Sequence, residues 1–364
     1  MKLPTLRTAV SLVALVLAAS ACSSSTPAED TSTTSTTLAP VTTISIPDTT
    51  TTTAQATTTT TTEPGIEVSD AINGLPADED LIDRRVIAVK IDNHPKARPQ
   101  SGLEIADSVY EILVEGGLTR FIALFHQSDS SYVGPNRSGR PTDAAVLKPI
   151  DPVFQVSGAQ PWVQSIFRAE GVRIVYDNGA ATYRISSRSA PQNLYMSTVA
   201  LREYADGNGW ADDNPGNLFP FGEPTPGTEA ADEITIEFSD AAPAVWKWDG
   251  EQYLRFIGDT PHEWVTEDGE AGQVAFDSVI AIHGDRYTAS PPSGSSGSSV
   301  PATKTVGEGD AWIFKDGTVL PVRWIRESTA EQFAFTTLDD EAVILEPGRM
   351  WISISPDDRS IVWE

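Results

Sequence analysis

Apolar and polar positions follow two different periods along the chain, and the places where the period changes mark candidate elements. RVIAVKID (85–92) is an apolar, β-branched run and predicts a buried strand. SVYEILVE (108–115) and TRFIALFH (119–126) flank Gly116-Gly117-Leu118, and two such runs about a Gly-Gly turn predict a hairpin. A helix over 104–115 competes with it. In either period Glu111 and Glu115 share a face, because residues four apart align in both. PVFQVSG (152–158) and VRIVYDNG (172–179) read as strands. QPWVQSIFRAEG (160–171) reads as a helix stopped by Gly171, and STVALREYADG (197–207) as a helix with Ser197 or Thr198 as N-cap. Strand and helix thus alternate through 66–221, the mark of an α/β domain.

The pattern breaks at NPGNLFPFGEPTPGTEA (214–230), which is rich in Pro and Gly, so a domain boundary with a linker at 222–230 is expected. Beyond it the signals are almost all β. ITIEFS alternates, and AVWKWDGEQYLRFIG (244–258) and AWIFKDGTVLPVRWIRES (311–328) each carry an Asp-Gly turn between strand runs. A β-rich domain over 231–364, sandwich or barrel-like, is expected, with a long flexible loop at 284–310. The fold class is α+β overall.

Composition narrows the function. The 364 residues suffice for two ordinary domains. A formal net charge of -26 repels polyanions, and no basic stripe offsets it, so nucleic acid is excluded as a partner. The single cysteine, Cys22, rules out an internal disulfide. Lys2 and Arg7, the apolar run AVSLVALVLAAS and the closing ASAC form a secretory signal over 1–22. Small residues directly before Cys22 resemble a bacterial lipobox, with Cys22 as the lipidated residue. Ala19 stands where that pattern often has Leu. The expected location is the outer face of the cell membrane, held by lipid on Cys22. Residues 23–65 are Ser/Thr-rich and poor in large apolar residues, which predicts a disordered tether. As a flexible coil it would span roughly 35 Å.

The segments KIDNHPKARPQSGLEIADSVYEILVEGGLTRFIALF (90–125), VGPNRSGR (133–140) and YRISSRSAPQNLY (183–195) together resemble the YerB-like family of bacterial lipoproteins, catalogued as the DUF3048 domain of unknown function. WIFKDGTVLPVRW and LEPGRMWISI resemble the family's C-terminal part. The resemblance implies a lipid-anchored envelope protein and carries no activity with it. This chain has Gln192-Asn193 where the family has His-Asn, and Asn136 where it prefers an apolar residue. Gln192 cannot titrate, which weakens any proton-transfer role at that position.

Several residues could carry chemistry. Glu111 and Glu115 could act as general acid and base, or pair with arginines as a structural network, which is the favoured reading. Their separation is ~13 Å along a strand and ~6 Å by rise along a helix. Arg98, Arg120, Arg137, Arg140, Arg184 and Arg188 concentrate in the family-like segments of an acidic chain. Arginine suits carboxylate and phosphate recognition, though each could equally answer a nearby acid. Asp92-Asn93-His94 could begin a metal site, but two ligands are too few, and a turn before Pro95 is favoured. Ser138 lies between Arg137 and Gly139 without an identifiable base. There is no Gly-x-Ser-x-Gly elbow, Ser-x-x-Lys box, Walker loop or dinucleotide turn, so neither a cofactor nor a metal is expected. The seven tryptophans of 246–363 read as packing rather than a sugar platform. The charges of 92–120 and 137–140, with Arg184, Arg188 and Asn193, are expected to line one polar cleft. That cleft would bind an anionic or glycan-containing envelope ligand or a partner protein. The alternative is a cell-wall hydrolase or transferase using Glu111 or Glu115.

Overall fold

In a computed structural model, the runs at 85–125 are three neighbouring strands. The structure describes residues 68–210, 212–241 and 243–364; Cys22, its lipobox and the 23–65 tether lie outside the described residues. Strands β1 (Ile87–Asp92), β2 (Ser108–Leu113) and β3 (Thr119–Phe125) are each buried along their whole length. β2 and β3 form the hairpin predicted about Gly116 and Gly117, which take φ of 73° and 70°. Such left-handed values suit glycine, which lacks a Cβ. β1 pairs antiparallel with β3, Asp92 opposite Arg120.

Next come α1 (Pro141–Leu147), β4 (Val153–Gln155), α2 (Pro161–Glu170) and β5 (Arg173–Val175). Gly171 closes α2 in the left-handed conformation at φ 78°. Short strands β6 (Thr182–Arg184) and β7 (Leu194–Met196) pair with each other, and α3 (Thr198–Gly207) follows with Ser197 as N-cap, its side chain accepting the Ala200 N–H. The later strands are β8 (Glu233–Glu237), β9 (Pro243–Trp248), β10 (Tyr253–Ile257), β11 (Ser278–Gly284), β12 (Arg286–Ala289), β13 (Val300–Thr303), β14 (Gly307–Lys315), β15 (Thr318–Arg326), β16 (Ala334–Thr337), β17 (Met350–Pro356) and β18 (Ile361–Trp363). The span expected as one long loop, 284–310, therefore contains the paired arm β12–β13 and the start of β14.

The strands assemble into one large mixed sheet in the order β16-β15-β14-β11-β17-β2-β3-β1-β4-β5. β17, near the C-terminus, runs parallel to both β11 and β2 and joins the two sequence segments. The described residues of the two expected domains, 66–221 and 231–364, therefore share a sheet and do not form separate cores, although 222–230 breaks the sequence pattern. A second antiparallel sheet, β10-β9-β8-β18 with short edge pieces, packs on one face of the large sheet. Helices α1 and α2 and strand β13 cover part of the other. The core lies in two layers, one on each side of the central sheet. Among the described residues no helix is long and apolar enough to cross a membrane.

Candidate functional site

Successive side chains of a strand point to opposite faces, so the central sheet sorts the charged residues of 90–120 into two groups. Glu111 lies opposite Phe121 in the β2–β3 pair, on the face covered by the second sheet. Lys90, Asp92 and Arg120 alternate with Ile91 and Phe121 and look toward α1. After Leu113 the chain leaves the strand through a 3₁₀ turn at Glu115–Gly117, so Glu115 does not continue the Glu111 face. The expected single cleft is therefore two constellations.

The first is closed. Glu111 accepts hydrogen bonds from Thr119 Oγ1 (2.7 Å), Arg255 Nη2 (2.8 and 3.0 Å) and Trp351 Nε1 (2.9 Å), and it is 1% exposed. Arg255 Nη1 donates to His262 Nδ1 at 2.5 Å, and His262 Nε2–H donates to Gln100 Oε1 at 2.7 Å. Gln100 Nε2 donates to Asn93 Oδ1 (3.3 Å), and Asn93 Nδ2 donates to Thr119 Oγ1 (2.8 Å), which closes the ring back to Glu111. The links from Arg255 Nη1 through His262 to Gln100 pair donor with acceptor only if His262 is neutral and protonated on Nε2, while the Arg255 Nε–H stays buried without an acceptor. Burial and then the Arg255 and Arg98 charges push His262 well below its ordinary value, in agreement with that tautomer. The Arg255 guanidinium also lies over the rings of Trp351, Phe121 and Trp246. Glu111 is thus saturated with donors and sealed from solvent, with no face for a substrate.

The second constellation reaches the surface. Lys90 Nζ meets Asp143 Oδ1 at 2.7 Å, both side chains fully buried. Asp143 also accepts the Arg140 backbone N–H at 2.8 Å, so it caps α1 and holds Lys90 at once. Burial lowers Lys90 to about 8 against the pull of Asp143. Arg140 Nε pairs with Glu115 at 2.7 Å. Arg120 Nη1 (2.7 Å) and Arg140 Nη1 (3.2 Å) donate to the same Ser138 carbonyl. Arg137 Nε stands 3.2 Å from Asp92 Oδ2, close enough for charge pairing but not aligned as a hydrogen bond. Gln192 Nε2 touches the same oxygen at 3.4 Å. The Nε of Arg120 is buried with no acceptor. Burial, then the Arg140 charge, brings Arg120 down to about 10. Burial would raise Glu115, but its Arg140 hydrogen bond and charge prevail and hold it low, so it stays a carboxylate.

The remaining candidates do not join this group. Arg184 pairs with Asp177 (2.7 Å) and Asn193 (2.9 Å) in an exposed position. Arg188 caps the carbonyls of Ala97 (2.7 Å) and Pro99 (2.5 Å). His94 Nδ1 accepts the Lys96 N–H at 3.1 Å, a turn role, and no group of three or more metal-ligating side chains occurs among the described residues. Arg98 is held by Asn93, with Nε on Oδ1 (3.0 Å) and Nη2 on the carbonyl (2.9 Å), beside His262 rather than beside Arg120. Gln100 and Arg255 were not singled out by sequence reasoning. Arg255 left a signal: in YLRFI it shares the inward face with Tyr253. A charge at a core position needs a buried partner.

Two family models match the chain: the N-terminal domain of a protein of unknown function, DUF3048, over residues 72–211, and the DUF3048 C-terminal domain over 234–352. A Bacillus subtilis (strain 168) relative bearing the name "Putative lipoprotein YerB" is 26% identical over 293 residues, spanning 79% of this chain and 86% of its own. The crystal structure of YerB protein from Bacillus subtilis superposes with a TM-score of 0.68 at 24% identity, over 81% of this chain and 99% of that one. At that identity the superposition speaks to the fold alone.

Proposed function

The chain belongs to the DUF3048 family of proteins of unknown function, and on that premise we propose that it is an exported, lipid-anchored envelope protein that binds an anionic envelope ligand through Arg120, Arg137 and Arg140. The anchor is the lipid on Cys22, the tether is 23–65, and the location is the outer face of the membrane. Two things support this part: the lipobox-like end of the signal sequence and the name of the Bacillus subtilis relative.

One observation carries the ligand reading. Two arginines share the Ser138 carbonyl, and one of them keeps a buried Nε–H without an acceptor. Like charges this close repel, and a buried guanidinium N–H without a partner costs about 1–3 kcal/mol or more. An oxyanion, phosphate or carboxylate, on a glycan or a linked precursor would relieve both. Lys90, Arg120, Arg137 and Arg140 outnumber Asp92, Glu115 and Asp143 in this group, within a chain that is strongly acidic elsewhere. The hydrolase or transferase reading gains nothing here, since Glu111 is sealed and Glu115 is held ionised. Calorimetric titration with inorganic pyrophosphate tests the proposal. Arg137→Gln should weaken binding by about tenfold, close to 1.4 kcal/mol, with the melting temperature unchanged. Equal binding by both proteins refutes it.

A further inference from the structure

On the opposite face, the sealed ring ends at an open cleft of about 330 Å³, with Arg98, Pro99, Ile257, Pro261, His262 and Glu263 in its lining. We propose that this cleft is a second binding site, specific for a single carboxylate on a small apolar body, such as the free C-terminus of a short peptide. Nothing in the arginine cluster is needed for it.

The Arg98 fork supplies the specificity. A guanidinium has five N–H donors. Asn93 takes two of them on one edge, from Nε to Oδ1 and from Nη2 to the carbonyl. The end-on edge, one N–H from each Nη, has no acceptor among the described residues and suits a bidentate carboxylate. Asn93 is itself fixed by Gln100 and Thr119, members of the ring, and Arg188 ties the carbonyls of Ala97 and Pro99 on either side of Arg98. The fork is therefore preorganised, which lowers the ordering cost of binding. His262 stands in the lining as a neutral ring, because its Nδ1 accepts from Arg255 and its Nε2 donates to Gln100. It offers the ligand no second proton. Arg98 is the one cation among the lining residues, Arg255 behind it is paired with Glu111, and burial with the Arg255 charge lowers Arg98 to about 10. Pro99, Ile257 and Pro261 present apolar surface, and exposed Glu263 repels a second negative charge. Monoanions with a neutral or cationic body are selected over dianions.

The test uses the full chain and two probes, N-acetyl-alanyl-alanine and its C-terminal amide, followed by NMR shift titration. The acid should bind with a Kd of about 1 mM or tighter, and the amide at least about tenfold more weakly. Ile257→Trp fills the cleft without touching the Arg98 bonds and should abolish binding with the fold intact. Glu263→Gln should raise the affinity for succinate relative to the acid probe. No binding of the acid, equal binding of acid and amide, or full binding by Ile257→Trp would each overturn the proposal. Pyrophosphate binding at the arginine cluster is read separately and is expected to be unchanged in Ile257→Trp.

Discussion

Glu111→Gln isolates what the sealed ring contributes. The change keeps shape and removes the charge. Arg255 and Glu111 are 2% and 1% exposed at the side chain, so the guanidinium would be left buried without its counter-charge. The new amide must also place an NH₂ where one carboxylate oxygen stood. At Oε1 it would face Thr119 and Arg255; at Oε2 it would face Trp351 Nε1–H and Arg255. Either orientation sets donor against donor. Breaking a buried pair costs about 3–5 kcal/mol, a large share of the ~5–15 kcal/mol that holds a domain folded. Glu115→Gln breaks a half-exposed pair with Arg140 and should cost about 0–1 kcal/mol. Urea denaturation with a shared m-value reads both. The double variant Glu111→Met/Arg255→Met removes both charges and should recover part of the loss, because hydrophobic replacement of a buried pair is often neutral while Trp351 Nε1–H, Thr119 and His262 Nδ1 lose their partners. A Glu111→Gln loss of about 1 kcal/mol or less would refute the assignment of this ring to the fold's stability.

Three further outcomes are expected. Below pH 6.5 the unfolded chain takes up a proton at His262 that the buried ring refuses beside Arg255 and Arg98, so unfolding free energy should fall as pH falls. Between pH 7 and 5 this amounts to about 2 kcal/mol, and the slope should shrink by that amount in His262→Gln, read by denaturation at each pH. Gly317→Ala should cost about 1–2 kcal/mol by the same assay, since Gly317 takes φ 68° in the β14–β15 turn and a Cβ would stand 2.9 Å from Trp248. Cys22→Ser should move the protein from the membrane fraction to the soluble fraction of lysed cells and abolish incorporation of labelled fatty acid.

Local signals carried much of the fold. The Asp316-Gly317 and Gly116-Gly117 turns, the α2 stop at Gly171 and the Ser197 cap all depend on residues within a few positions of one another. The merger of the two sequence segments does not. β17 inserts parallel between β2 and β11, and a parallel neighbour needs no tight turn to announce it. The face of Glu115 was hidden for another reason. Residues four apart align in strand and in helix alike, and the chain left the strand between Glu111 and Glu115. β1, β2 and β3 are buried on both sides, so their alternation of charge and apolar residues gave no outward face to anchor the reading. Arg120, Arg137, Ser138 and Arg140 were legible because they sit in two short segments joined by one sheet end. Arg255 and His262 meet Glu111 and Gln100 across more than 140 residues, a distance no local pattern spans.

The central claim is that an anion belongs between Arg120, Arg137 and Arg140. Crystals of the protein soaked in selenate and measured at the selenium edge test it most directly. The account expects an anomalous peak within hydrogen-bonding distance of at least two of these guanidinium groups, lost in Arg137→Gln crystals. A selenate bound elsewhere with this cluster vacant, or a peak that survives in the variant, would contradict it.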